Sequence, residues 1–280
     1  MIESLRATCR RLLETETVQV VIGYGQTGSG NTVCPIFIRR PEDTDQLIWN
    51  DQCSMNLVAY LKRKEIQSLG KAAIVVKGCD ERALVVLEKE SQIDRSSLHV
   101  IGIACDGVGN PKMSKCKSCD VHRPRFANET LGESTSPQDE PGRKWQDLEE
   151  FLSRPPSQRM AYWREELSRC VKCYACRQVC PMCYCERCLV DKNRPTCIDT
   201  SPTLKGNFAW HITRAFHLAG RCVACGECTR ACPVGIDLGL LNQSLAKAAE
   251  EQFGYRAGMD PQAEPLVGSY SLQDKEGFIG

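Results

Sequence analysis

Residues 170–232 constrain this chain more than any other stretch. They open as Cys170-Val-Lys-Cys173-Tyr-Ala-Cys176-Arg-Gln-Val-Cys180-Pro and close as Cys222-Val-Ala-Cys225-Gly-Glu-Cys228-Thr-Arg-Ala-Cys232-Pro, so C-x2-C-x2-C-x3-C-P is written twice. With this spacing, three closely placed thiolates bind three irons of one 4Fe-4S cubane and the fourth cysteine crosses over to complete the other. It predicts Cys170, Cys173, Cys176 and Cys232 as ligands of a first cluster, and Cys222, Cys225, Cys228 and Cys180 as ligands of a second. Pro181 and Pro233 fit this arrangement, because a residue with fixed φ and no N–H turns the chain away after the fourth ligand. Zinc knuckles also use C-x2-C pairs. A zinc ion needs only four ligands, however, and gains nothing from a second complete run with the same ending.

The rest of the composition narrows the setting. A length of 280 residues suits two domains, each large enough for its own core. With 36 Lys and Arg against 35 Asp and Glu, the formal charge is +1, which points to neither nucleic acid nor an anionic membrane as partner. No run of eighteen apolar residues and no charged-then-apolar leader is apparent, so the expectation is a cytoplasmic protein without a membrane span. Nineteen cysteines in a small secreted chain would suggest disulfides. Here they are spaced as metal ligands, which implies a reducing cell, as in an anaerobe.

The pattern of the chain predicts an α/β domain with a mostly parallel sheet over 1–125, a linker and short helix over 126–156, a helical two-cluster ferredoxin domain over 157–250, and an extended tail over 251–280. Residues 2–13 have helical spacing, and Cys9 falls on the apolar face as a small core residue. A strand at 18–22 leads into Gly23-Tyr-Gly25-Gln-Thr-Gly28, which matches G-x-G-x-x-G. The helix a dinucleotide site needs does not follow; Val33, Ile36 and Ile38 favour a second strand, and hence a hairpin. A helix is expected over 56–64. Strands at 72–76 and 99–104, joined by a helix over about 81–90, form a βαβ unit.

Open α/β sheets bind ligands beyond the carboxyl ends of their strands, and Cys79 and Cys105 occupy those two ends. Cys116 and Cys119 follow as a C-x-x-C in the adjoining loop. One such cysteine alone would read as packing. The four together read as ligands of a third 4Fe-4S cluster, or of zinc, with Cys53 as an alternate ligand. Cys183, Cys185, Cys188 and Cys197 are candidates for a further iron-sulfur site, or for packing beside the clusters. Helices are predicted over 157–169, 204–219 and from 237. His211 and His217, six apart, lie on different faces of the second of these and read as structural.

A cubane with four thiolates is anionic, and Arg169, Lys172, Arg177, Arg221 and Arg230 stand where they could offset that charge. No paired acid and base, no Ser/His/Asp arrangement and no c-type haem motif emerges. Clusters without a chemical site read as a wire between other redox centres.

Four segments then carry a family resemblance: Val75-Val-Lys-Gly-Cys-Asp-Glu-Arg-Ala83, Val100-Ile-Gly-Ile-Ala-Cys-Asp-Gly-Val108, Lys115-Cys-Lys-Ser-Cys-Asp-Val-His-Arg-Pro124, and the first ferredoxin-type run continued through Cys185. Together they resemble iron-sulfur proteins related to the beta subunit of coenzyme F-420 (deazaflavin) hydrogenases and dehydrogenases, of the kind associated with heterodisulfide-reductase-like complexes. The resemblance implies a subunit relaying electrons between a flavin- or nucleotide-linked partner and a heterodisulfide-reductase-like or hydrogenase-like one. The alternative it implies is a flavin-bearing catalytic subunit, with FAD, acting on a soluble carrier such as a deazaflavin, NAD or ferredoxin. The sequence departs from the flavin-bearing members in lacking a recognisable glycine-rich flavin segment and in placing the ferredoxin-type runs after the α/β part.

Overall fold

The structure is a computed structural model. It describes all residues except 29–31, 137–142, 189, 191–198, 200 and 269–280. Helix α1 (Ile2–Glu14) lays Leu5, Cys9, Leu12 and Leu13 against the sheet. Strands β1 (Val20–Gln26) and β2 (Val33–Ile38) pair antiparallel, which is the expected hairpin. The glycines of β1 answer to packing: a Cβ on Gly23 would lie 2.3 Å from Leu47 Cδ2, and one on Gly25 would lie 2.7 Å from the Ile36 side chain.

The region read as a helix over 56–64 is instead a 3-10 turn, Leu57–Tyr60, followed by the short helix α2 (Lys64–Gln67). Asn56 caps the turn by accepting from Val58 N, and burial of Leu57 and Val58 in the core decides the local conformation. Tertiary packing here overrides a helical pattern.

Strand β3 (Ala72–Val76) is buried along its whole length, as a central parallel strand should be. Helix α3 (Gly78–Lys89) begins earlier than its periodicity suggests, because Asp80 accepts the Lys77 N–H and closes the first turn. Strand β4 (Leu98–Ile103) pairs parallel with β3, which completes the expected βαβ unit. Helix α4 (Ser114–Lys117) follows in the loop beyond β4. Strand β5 (Glu129–Leu131) then pairs parallel with β4, so the stretch read as linker supplies an edge strand. Its polar composition hid it; Glu129 is held by Arg11 of α1 and by His99 of β4. The sheet runs β2-β1-β3-β4-β5, parallel apart from the hairpin.

The remainder is helical. Helices α5 (Gln146–Leu152), α6 (Pro156–Ser168), α7 (Ala175–Gln178), α8 (Leu204–His217), α9 (Glu227–Arg230) and α10 (Leu238–Phe253) surround the cysteine runs. A small core of Leu167, Cys176, Val190, Trp210, Cys228, Ile236 and Leu238 belongs to this part. Cys180, Cys183, Cys222 and Cys225 instead pack against the core of the sheet, so the second run lies where the two parts meet. Among the described residues no helix is long and apolar enough to cross a membrane.

Candidate metal centres

The two cysteine runs fold as copies of one another. In the first, Lys172 and Tyr174 take left-handed conformations (φ 55° and 60°); in the second, Ala224 and Gly226 do the same (56° and 70°). Each pair precedes a single helical turn, α7 or α9, that carries the third cysteine. Each run then closes with the same bonds: Cys180 N to Arg177 O and Cys232 N to Thr229 O are both 3.3 Å, and the carbonyls of Cys180 and Cys232 accept from Cys183 N and Gly235 N at 3.2 and 3.1 Å. The two left-handed residues of each run bring its first three cysteines to the wall of one cavity. Left-handed conformation costs a residue with a Cβ roughly 1–2 kcal/mol, so Lys172, Tyr174 and Ala224 mark positions where the loop geometry is imposed from outside.

Two cavities of nearly equal size lie inside these loops. One, of about 360 Å3, is lined by Cys170, Cys173, Cys176 and Cys232. The other, of about 400 Å3, is lined by Cys180, Cys222, Cys225 and Cys228. Each therefore takes three cysteines from one run and the last cysteine of the other. Backbone and side-chain donors already point at several sulfurs: Lys172 N to Cys170 Sγ at 3.4 Å, Ile236 N to Cys232 Sγ at 3.3 Å, and Asn242 Nδ2 to Cys228 Sγ at 3.5 Å. Such donors stabilise thiolates and are what a buried anionic cluster requires. Without a metal, burial pushes the Cys176 and Cys222 thiols up to about 11 and Cys225 up to about 12. Among the described residues no three Cys, His, Asp or Glu side chains gather as tightly as a single ion would need. Four thiols spread around a void suit a polynuclear core, whose irons are ligated at its corners.

A third and larger cavity, of about 910 Å3, lies at the carboxyl edge of the sheet and includes Cys79, Cys105, Cys116 and Cys119 in its walls. It shares Cys222, Val223 and Ala224 with the second cavity, so the two are neighbours. Cys79 rides in the first turn of α3, and Gly78 before it admits no side chain, since a Cβ there would stand 2.3 Å from the Val121 carbonyl. Gly107 N and Val108 N reach Cys105 Sγ and Cys116 Sγ, both at 3.4 Å, with Gly107 in a conformation (φ 114°) that only glycine adopts readily. Burial raises the Cys105 thiol to about 11, and raises Cys79 and Cys119 as well.

None of the other described candidate cysteines lines these three cavities. Cys53 is fully buried in the sheet core with its thiol directed at Ile48 O and Asn50 Oδ1, and it does not line the third cavity. Cys183 lies beside Cys180 against the sheet core, Cys185 is exposed, and Cys188 packs on the helical core. Cys197 lies outside the described residues.

Arg169, Arg221 and Arg230, beside the ligand runs, are engaged with Glu166, Glu90 and Glu227. The deeply buried cations come from elsewhere. Arg82 of α3 donates to Ala257 O and Val223 O, with no carboxylate on it among the described residues. Lys115 crosses between Cys79 and Cys225, bonded to Ser54 O at 2.7 Å and 3.6 Å from Glu227. Arg214 of α8 donates to Cys176 O at 3.1 Å; burial lowers its pKa, but the thiols of Cys180, Cys183, Cys228 and Cys176 raise it by more. His211, read as a structural residue, has Nε2 3.3 Å from Cys170 Sγ, and burial lowers its pKa to about 4. Only the crowding of Trp210, His211 and Arg214 onto one helical face could have hinted at these roles.

The structure thus combines an α/β sheet with two cysteine runs that line cavities, and the chain is similar to known proteins. It is 31% identical over 105 residues to an F420-dependent formate dehydrogenase subunit beta of Methanocaldococcus jannaschii, a match covering 37% of this chain and 27% of that protein. It is 22% identical to F420-dependent formate dehydrogenase 1 subunit beta of Methanococcus maripaludis, over 95% of this chain and 92% of that one. No family model matches the chain. The chain is thus similar to beta subunits of F420-dependent formate dehydrogenases, in line with the resemblance its cysteine-bearing segments carry.

Proposed function

We propose that this chain is an iron-sulfur electron-transfer subunit of a cytoplasmic multi-subunit oxidoreductase, with its helical part serving as a two-cluster ferredoxin domain. The carrying observation is that two cavities of like size are each lined by four cysteines, three from one run and one from the other. In the proposal, Cys170, Cys173, Cys176 and Cys232 hold the first 4Fe-4S cluster, and Cys222, Cys225, Cys228 and Cys180 the second. Cys79, Cys105, Cys116 and Cys119 hold a third. When loaded, the clusters accept and release single electrons; the chain's own residues bind them, exclude water and fix their order. That order runs from the first centre, through the second, to the third at the sheet edge, because the third cavity shares a wall with the second. A flavin- or nucleotide-linked partner and a hydrogenase-like or heterodisulfide-reductase-like partner would supply the two ends. The relatives' role as beta subunits supports membership of a complex.

One observation favours a second reading, a flavin-bearing catalytic subunit. The third cavity, about 910 Å3, is more than twice as large as either of the others. Anaerobic purification with the associated chains tests both readings. The electron-transfer reading expects about twelve irons and as many sulfides per chain, since each cubane carries four, and no flavin released by acid. One flavin per chain would favour the alternative, no iron would end the electron-transfer reading, and neither iron nor flavin would end both.

A further inference from the structure

Helix α8 turns a polar stripe inward. Asn207, Trp210, His211 and Arg214 stand at helical i, i+3, i+4 and i+7 positions, and all four are buried, at 1, 2, 3 and 5% exposure. An ordinary core helix presents aliphatic side chains there. Each of these four side chains, moreover, has a polar atom with no partner among the described residues: Asn207 Oδ1, Trp210 Nε1, His211 Nδ1 and Arg214 Nε. Buried polar groups without partners are rare and ask for an explanation. Two of these atoms, Trp210 Nε1 and Arg214 Nε, can only donate.

The stripe lies against the proposed clusters. Trp210 and His211 both line the first cavity. His211 Nε2 is 3.3 Å from Cys170 Sγ, and a ligating thiolate can only accept, so the ring hydrogen belongs on Nε2. Asn207 fixes the same cysteine from the other side, donating to Cys170 O at 2.8 Å and Leu167 O at 3.0 Å. Arg214 donates to Cys176 O of the first set and stands among Cys180 and Cys228 of the second. Among the described residues no carboxylate pairs with it; its buried charge faces the Trp210 ring, 5.9 Å away, and the sulfurs of Cys180, Cys183, Cys228 and Cys176.

We propose that α8 sets the potentials of the two ferredoxin-type clusters: Trp210 and His211 donate to the sulfur of the first, and Arg214 supplies positive charge to both. Donors and positive charge directed at cluster sulfur favour the more negative, reduced state and raise the reduction potential. These are positioning residues, not ligands, and the proposal rests on the cluster reading above.

The test is a redox titration of the full chain, loaded anaerobically and followed by the electron paramagnetic resonance of each reduced cluster. Iron and sulfide are counted first; a wild-type chain without them would sink the cluster reading itself, independently of this inference. Trp210→Phe and His211→Phe keep an aromatic ring but lose the donor. Each is expected to retain iron and shift the first cluster to lower potential, with the reduced-to-oxidised ratio at the wild-type midpoint falling about tenfold, or about 59 mV for a one-electron couple. The second cluster should stay where it is. Arg214→Met is expected to lower both midpoints and Arg214→Lys to restore much of the loss. Should Arg214→Met fail to retain iron, the two ring variants decide. Full iron with unmoved midpoints in both ring variants would overturn the proposal.

Discussion

The two cysteine runs share every turn of their backbone, yet they live in different surroundings. In the first run Cys173 is exposed and Val171 beside it is 61% exposed. In the second, the corresponding Val223 is buried at 3% exposure and Cys225 is partly covered, Cys225 packs on the sheet core, and Lys115 lies across the loop. The two left-handed positions before the helical turn show the same contrast. At the first, Tyr174 stacks edge-on against Trp210 with ring centroids 5.3 Å apart; at the second, Gly226 is bare, and a Cβ there would stand 2.8 Å from Lys115 Cδ. One loop design thus serves two tasks. The bonds that repeat shape a four-cysteine cage, and the residues that do not repeat decide whether the cage opens to the surface or is sealed against its neighbour.

That contrast can be broken most severely at a ligand of the sealed run. Cys225→Ser should remove the second cluster and with it electron transfer through the chain, because a serine oxygen is a harder and poorer ligand for cluster iron than a thiolate. Iron analysis and turnover of the assembled complex check this, and full iron with full turnover would contradict it. Cys116→Ser should be milder. About four irons should be lost, the content of one cubane, while both ferredoxin-type signals remain; zinc in place of iron would reassign the third site.

Smaller changes sharpen the comparison at the paired loop positions. Gly226→Tyr makes the second run like the first, and it should destabilise the chain by about 1–3 kcal/mol through overpacking against Lys115, read as a lower thermal midpoint of the loaded protein. The reciprocal Tyr174→Gly should change stability by less than about 1 kcal/mol, since relief of the left-handed strain offsets loss of the aromatic contact. Equal losses from the two exchanges would show that the surroundings, contrary to this account, are equivalent.

Much of this arrangement was legible because it is local. Cysteine spacing is written in neighbouring residues, and the cysteines of each run fall on the walls of two cavities, while Cys79, Cys105, Cys116 and Cys119 share a third with Cys222. The βαβ unit was readable for the same reason, as a buried run, a helical period and a second buried run. Strand β5 escaped because Glu129, Thr130 and Leu131 carry no apolar pattern and are strand only by pairing with β4. The turn at Leu57–Tyr60 departs from the helical pattern because its apolar residues satisfy the sheet core rather than a helical stripe. The buried cations escaped for a different reason: nearness in sequence put Arg169, Arg221 and Arg230 forward, but their charges are met by carboxylates, and Arg82, Lys115 and Arg214 arrive from distant elements.

The central claim is that each run lends its last cysteine to the other's cluster, and Cys180→Ser tests it most directly. Cys180 belongs in sequence to the first run but lines the cavity of Cys222, Cys225 and Cys228. Resonance spectra of the reduced, iron-loaded variant, compared with those of Cys222→Ser and Cys170→Ser, show which cluster it disturbs. The account predicts that Cys180→Ser alters the same signal as Cys222→Ser and spares the one altered by Cys170→Ser; the opposite pattern would contradict it.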